Sequence, residues 1–216
     1  MKLIKQSFEI LDWGAENGIE ILKKIERAGR TCYKSQDKVT EDSCIKFVQM
    51  LDKSGHHSVL EHHNIMCKLI TNRGVLAELT RHRLASYSVE STRYCKYNGE
   101  MLFILPVWLN NPANKQEAVT YANFSQSLNE AEHFYNILLE QGWRPEQARE
   151  VLPNALATEI IMTANLREWK HVFNLRCSKK AHPQIRDLML DGLEQFKNFI
   201  PILFNELWEK YNENKI

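Results

Sequence analysis

The chain lacks the marks of several large function classes. No long apolar run occurs in its 216 residues, and the opening MKLIKQSFEILDW mixes apolar and polar side chains without a cleavage-site pattern. Neither a membrane span nor a secretory leader is therefore expected. No CxxC pair occurs among Cys32, Cys44, Cys67, Cys95 and Cys177; an odd, scattered set reads as reduced thiols and points to the cytoplasm. No charge of one sign dominates, because 28 Lys and Arg against 27 Asp and Glu leave a net charge of +1. That balance excludes a dedicated nucleic-acid binder with a global basic field and favours a small partner. GxGxxG and P-loop patterns are absent, so neither a Rossmann nor a Walker site is supported. No repeat or low-complexity tract is present. What remains is ordinary globular composition, 44% hydrophobic and 25% charged, long enough for one domain spanning 1–216 with a sizeable core. Disorder is expected only over Asn212 to Ile216.

Against that neutral background, residues 81–94 (RHRLASYSVESTRY) concentrate three arginines, one histidine, four Ser or Thr hydroxyls and two tyrosines. Arginine offers a planar, permanently charged fork matched to phosphate oxygens, and hydroxyls add short-range donors. Charge alone is equally compatible with an exposed basic helix end and a polar turn. Further basic clusters occur at Arg149 and at Arg167 to Arg176. His56, His57, His62 and His63 crowd one short segment, yet they do not form the HExxH arrangement that a zinc helix requires, so no metal is expected.

Periodicity predicts a strand over 2–12, a turn at Asn17-Gly18 and a helix over 19–28. A second helix is predicted over 41–53, with Cys44, Phe47, Val48 and Leu51 inward. Residues 62–72 alternate as a strand, with Ile65, Cys67 and Leu69 on one face. Val75 to Arg83 reads as a short helix with Leu76, Leu79 and Thr80 inward, delivering Arg81, His82 and Arg83 to the cation-favouring end of its dipole. Tyr94 to Tyr97 leads to a short extended segment over 101–106, and 107–115, with Pro112, reads as a variable loop. A long helix is predicted over 116–141, stopped by Gly142, with a short one over 146–152. Ala155 to Asn165 fits helix or strand by pattern alone. On a helix beginning at Asn165, positions 167, 171 and 174 share one face while 169, 172 and 173 pack inward. The last helix, 187–213, contains Pro201 as a kink.

Four segments in one order carry a family resemblance. RHRLASYSVESTRY resembles the RHRxxSxNxxSxRY frame of the flavin-dependent thymidylate synthases. His56, Ser58, Glu61 and His62 resemble that family's HxSxxEH. Ala148 to Pro153 resembles its ARxxLP, and Asn165 to Arg176 its NxRxxxxxFxLR. Ser88 replaces the usual Asn, Val89 stands where Glu is common with Glu90 one residue on, and Lys180 replaces a frequent His, with His182 two residues later. Cys32 stands in an early segment whose small polar residue lies near the flavin.

The resemblance implies an α+β fold, with a mixed, largely antiparallel sheet, helices and a long helical segment, and it favours a strand over 155–165. It implies reductive methylation of dUMP to dTMP, with methylenetetrahydrofolate as carbon donor and FAD, reduced by NADPH, as hydride source. His56, Ser58, Glu61, Arg81, His82, Arg83, Val89, Asn165, Leu166, Arg167 and His171 would lie on the flavin side. Glu78, Arg81, Val89, Glu90, Ser91, Thr92, Arg93, Arg149 and Arg176 would contact the nucleotide. Arg176 would stabilise charge on the uracil as the catalytic residue, without a covalent protein nucleophile. The family's homotetramer shares sites between subunits, so Arg149 and the 81–94 segment are candidates to come from different chains. The alternatives are a non-catalytic nucleotide or RNA binder and a histidine-based metal hydrolase. Neither accounts for both RHRx7S and NxRxxxxxFxLR in one chain.

Overall fold

Two nine-residue segments alternate between buried and exposed side chains, as half-buried strands require. Asn64–Asn72 buries Ile65, Cys67, Leu69 and Thr71, and Ala157–Asn165 buries Thr158, Ile160, Met162 and Ala164, with Ala157 at its start buried as well. These two strands are adjacent in a four-stranded sheet. The structure is a computed structural model that describes residues 1–11, 18–95, 97, 100–109 and 114–212.

Its elements are β1 (Lys2–Ile4), β2 (Ser7–Ile10), α1 (Gly18–Tyr33), α2 (Ser43–Lys53), β3 (Asn64–Asn72), α3 (Arg73–Leu79) and β4 (Ala85–Val89). They continue as β5 (Leu102–Ile104), α4 (Lys115–Glu140), α5 (Pro145–Ala148), β6 (Ala157–Asn165), α6 (Leu166–Arg176), α7 (Pro183–Phe199) and α8 (Pro201–Asn212). The sheet order is β2-β3-β6-β4, with β1 and β5 forming a separate parallel pair in which Leu3 faces Phe103. The fold is α+β, as expected. No helix among the described residues is long and apolar enough to cross a membrane.

The chain divides into two compact units. One contains Met1–Ser7, Leu69–Arg81 and Ser88–Ile160; the other contains Phe8–Lys68, His82–Tyr87 and Ile161–Ile216. In the first, Met101, Phe103, Leu128, Tyr135, Ala148 and Leu156 form the core. The Asn114 side chain caps α4 by accepting from the Glu117 N–H, and Gly142 at φ 91° ends it with backbone bonds from Gly142 and Trp143 to Leu139 and Leu138. That left-handed position suits glycine.

In the second unit the core is aromatic. Phe8, Trp169, Phe173, Phe196 and Phe204 pack with ring centroids 5.0 to 6.4 Å apart. The Trp169 indole N–H is satisfied by the Ile65 carbonyl at 3.1 Å, as a buried indole requires.

Several sequence expectations are corrected. The strand over 2–12 is two strands: β1 pairs with β5, whereas Leu11, just beyond β2, donates to the Met66 carbonyl in β3. The helix over 19–28 runs on to Tyr33. The helix placed over 75–83 begins at Arg73, where Asn72 caps it by accepting from Val75, and ends at Leu79. Arg81, His82 and Arg83 thus lie past its carboxyl end and outside the helix. The Tyr87 hydroxyl donates to the His82 carbonyl at 2.9 Å, occupying a group that a continuing helix would use.

Of the side chains assigned inward there, Leu79 is buried, Leu76 half-buried and Thr80 exposed. The helix over 146–152 is α5 followed by a 3-10 turn, Arg149–Val151, because Pro153 pushes Leu152 into extended backbone. Pro201 breaks the last helix where a kink was expected, with Ile200 at φ −134° and ψ 71° between α7 and α8. The turn at Asn17, Pro112 and residues 213–216 lie outside the described residues; Asn212 ends α8.

Gly192 lies against Phe8, where an added Cβ would meet ring carbons at 2.7 Å. Gly192→Ala is expected to destabilise the protein by about 1–3 kcal/mol through overpacking, read as a lower urea midpoint at unchanged m-value.

Candidate active site

The α6 helix is built with two faces. Its amino end is capped by the Asn165 side chain, which accepts from the Glu168 N–H at 2.8 Å. Leu166, Trp169, Val172 and Phe173 are buried, while Arg167, His171 and Asn174 face outward, as the 3.6-residue period anticipated.

Charged groups fasten a neighbouring turn to this helix. Residues His57–His62 form a 3-10 turn that buries Val59 and Leu60 and leaves His56, Ser58, Glu61 and His62 exposed. Asp52 accepts from Lys170, and its carboxylate lies 3.4 Å from His57 Nε2. Arg167 donates to Glu61. Glu61, Leu84, Asn165, Arg167, Glu168 and His171 line a pocket of about 380 Å³, a size suited to a small planar ligand.

Beside these groups is a buried imidazole. His82 is 5% exposed, and its Nε2 accepts from Arg176 Nε at 3.0 Å. Its Nδ1 lies 3.5 Å from Glu168 Oε1, and its ring meets His171 edge-on at 5.8 Å. Burial lowers the His82 pKa to about 4, helped by the Arg176 and His171 charges. Burial also raises the Glu168 carboxyl and pushes Tyr87 up to about 12, the latter assisted by Glu168 and opposed by Arg176. His82 is therefore neutral at pH 7.

His82, Glu168 and His171 can bring one ligand atom each within 4.8 Å of one another, the geometry of a small cation site. His82 Nε2 is already engaged by Arg176, however, and that guanidinium would face any ion held there. The arrangement serves hydrogen bonding better than metal binding. The histidines at 56–63 form no such group among the described residues.

In the other unit, a second set of sequence-selected residues converges. Arg149 Nη1 donates to Thr92 Oγ1 at 3.1 Å, the Arg93 N–H donates to Ser91 Oγ at 3.2 Å, and Arg93 Nε donates to Glu146 at 3.3 Å. Arg149 meets Thr92 within one chain, so no second copy is needed to join these two. Glu90 is drawn into a different network: its carbonyl accepts from Arg73 at 3.0 Å and its carboxylate from the Tyr97 hydroxyl at 2.9 Å. Burial, reinforced by that bond, raises the Tyr97 pKa. Val89 is half-buried at the end of β4, Glu78 is half-buried on α3, and Arg81 and Arg83 are exposed.

Sequence reasoning missed Glu168, Leu84, Tyr87 and Glu146. Glu168 follows its capping Asn by three residues, a spacing that reads as a helix start. Only the fold turns its carboxylate toward His82. Leu84, 74% exposed beside the arginines, carries the clearest local signal, because an apolar side chain in water next to a polar site invites a ligand.

Comparison with known proteins agrees with the sequence resemblance. A family model described as thymidylate synthase complementing protein matches residues 19–202. The flavin-dependent thymidylate synthase of Geobacter sulfurreducens is 33% identical over 186 residues, covering 83% of this chain and 78% of the relative. That of Pyrococcus furiosus is 30% identical over 195 residues, covering 88% and 75%. The enzyme of the same name from Mycobacterium tuberculosis is 31% identical over 193 residues, covering 83% and 77%.

The lowered His82 pKa carries a sign. Between about pH 4 and 6.5 the unfolded chain binds a proton at this ring that the folded chain does not. Folding is thereby destabilised as pH falls through that window and regains the loss as pH rises. His82→Gln is expected to flatten this part of the stability profile, read from urea midpoints at pH 4.5 and 7; an unchanged slope would refute the assignment.

Proposed function

This chain belongs to the thymidylate synthase complementing protein family and is an enzyme of the flavin-dependent thymidylate synthase class, and from that premise we propose that it converts dUMP to dTMP by reductive methylation. One observation carries the reading to the level of residues. Motif residues distant in sequence, Glu61, Asn165, Arg167 and His171, line one pocket beside a buried neutral His82 that holds Arg176.

The donor set fits a flavin. Arg167 and His171 supply polar and cationic contacts, Asn165 an amide, and Leu84 an exposed apolar surface for a planar ring. When bound, FAD would supply the hydride that completes the methyl group, with NADPH as reductant and methylenetetrahydrofolate as the one-carbon donor.

The chain's own residues bind, orient and stabilise charge. His56, Ser58, Glu61, Arg81, His82, Arg83, Val89, Asn165, Leu166, Arg167 and His171 form the cofactor side of the proposal. Leu166 is wholly buried and contributes through packing and the bond from its N–H to the His63 carbonyl. Ser91, Thr92, Arg93 and Arg149 hold the nucleotide phosphate, Arg93 exchanging Glu146 for phosphate oxygens. Glu78, Arg81, Val89 and Glu90 complete the nucleotide side. Arg176 faces the uracil and stabilises negative charge as the ring is polarised, in place of a covalent nucleophile.

Residues 1–216 are proposed to act as one catalytic domain in the cytoplasm, assembled as a homotetramer with shared sites. The α4 helix supports an assembly, because it buries only Leu128 and Tyr135 and leaves Val119 and Phe134 exposed.

Absorption spectroscopy tests the cofactor. Protein loaded with FAD and passed through gel filtration is expected to keep a visible band that bleaches anaerobically with NADPH and dUMP. Colourless protein would favour nucleotide binding without redox chemistry. Arg176→Ala is expected to keep the band while dTMP formation falls by at least about a hundredfold; wild-type turnover would remove Arg176 from the catalytic role.

A further inference from the structure

The His82 ring lies between a group that can only donate and a group that, when ionised, can only accept. Arg176 presents Nε–H to Nε2 at 3.0 Å, and a guanidinium has no acceptor to offer in return. Nε2 must therefore carry the lone pair, and a neutral ring must carry its proton on Nδ1. That nitrogen faces Glu168 Oε1 at 3.5 Å. Both partners are set by the same helix: Glu168 lies in its first turn, where its N–H donates to Asn165, and Arg176 is its last residue. The other side of the ring is pinned through its backbone, since the His82 carbonyl accepts from Tyr87.

We propose that Glu168 is a positioning residue that holds His82 as the Nδ1–H tautomer, so that Nε2 fixes the Nε edge of Arg176 and directs the remaining guanidinium N–H groups to the substrate. The reasoning parallels other sites in which a carboxylate sets a histidine tautomer and a wrong tautomer costs most of the rate. The kinetic part rests on the role proposed above for Arg176; the tautomer part does not. Glu168 also lines the pocket, and its proposed role is one of position. It acts through His82.

Nitrogen-15 spectra of histidine-labelled, ligand-free protein test the tautomer directly, with the His82 signals assigned by their loss in His82→Gln. Wild-type protein is expected to show a protonated Nδ1 and an unprotonated Nε2; the opposite pattern would overturn the proposal without any Glu168 variant. Glu168→Leu is expected to populate the Nε2–H form and lower kcat by about tenfold to a hundredfold with a smaller change in the KM for dUMP. Glu168→Gln keeps a carbonyl acceptor and is expected to restore the Nδ1–H form and recover most of the lost kcat. A Glu168→Leu protein with wild-type tautomer and kcat would overturn the proposal, as would Glu168→Gln behaving like Glu168→Leu. Wild-type protein with the Nδ1–H form but no dTMP formation would refute the functional reading and leave the tautomer assignment standing.

Discussion

A guanidinium donating to a neutral imidazole is the contact on which the candidate site depends. It exists only while His82 is unprotonated, and burial together with the Arg176 and His171 charges keeps it so. A protonated ring would turn an acceptor into a donor and set two cations face to face, with little water to screen them. The low proton affinity of His82 is therefore part of the geometry. The contact also brings His82 against the end of α6 although 94 positions separate it from Arg176.

That contact can be made because α6 is anchored in the core by its inward face. Trp169, Val172 and Phe173 are fully buried, and Trp169 and Phe173 join Phe8, Phe196 and Phe204 in one aromatic cluster. Burying such large side chains contributes several kcal/mol to stability, on the order of 1.5–3 kcal/mol for each. The outward face is then left to chemistry. Asn165 illustrates the economy: its side chain caps the helix, accepting from Glu168, and the same residue lines the pocket. Lys170 and Asp52 fasten α2 and the 3-10 turn beside the helix, so Glu61 reaches Arg167.

The arginines of the other unit obey a different constraint. A chain with net charge of +1 cannot gather phosphate from a distance by its overall field. Its cations are held locally instead, Arg149 by Thr92 and Arg93 by Glu146. Exposed pairs of this kind contribute little to stability, so their partners are readily exchanged. Glu90 stands apart, bound by Arg73 and Tyr97 in a network that stabilises the strand end.

Local pattern carried much of this. Alternation identified β3, the 3.6-residue period divided α6 correctly into Arg167, His171 and Asn174 outside and Trp169, Val172 and Phe173 inside, and Gly142 ended α4 where a left-handed residue was needed. Such properties are written in neighbouring residues, because backbone hydrogen bonding and side-chain periodicity are short-range. Four motifs in order also identified the family. Tertiary structure alone decided where the first extended stretch splits between β5 and β3, why α3 stops before Arg81, and which carboxylate meets His82. The first and the last depend on a partner far away in the chain, and the stop of α3 on the turn that brings the Tyr87 hydroxyl back to the His82 carbonyl. No local spacing specifies such a partner, because burial and hydrogen-bond satisfaction select it only when the whole core closes.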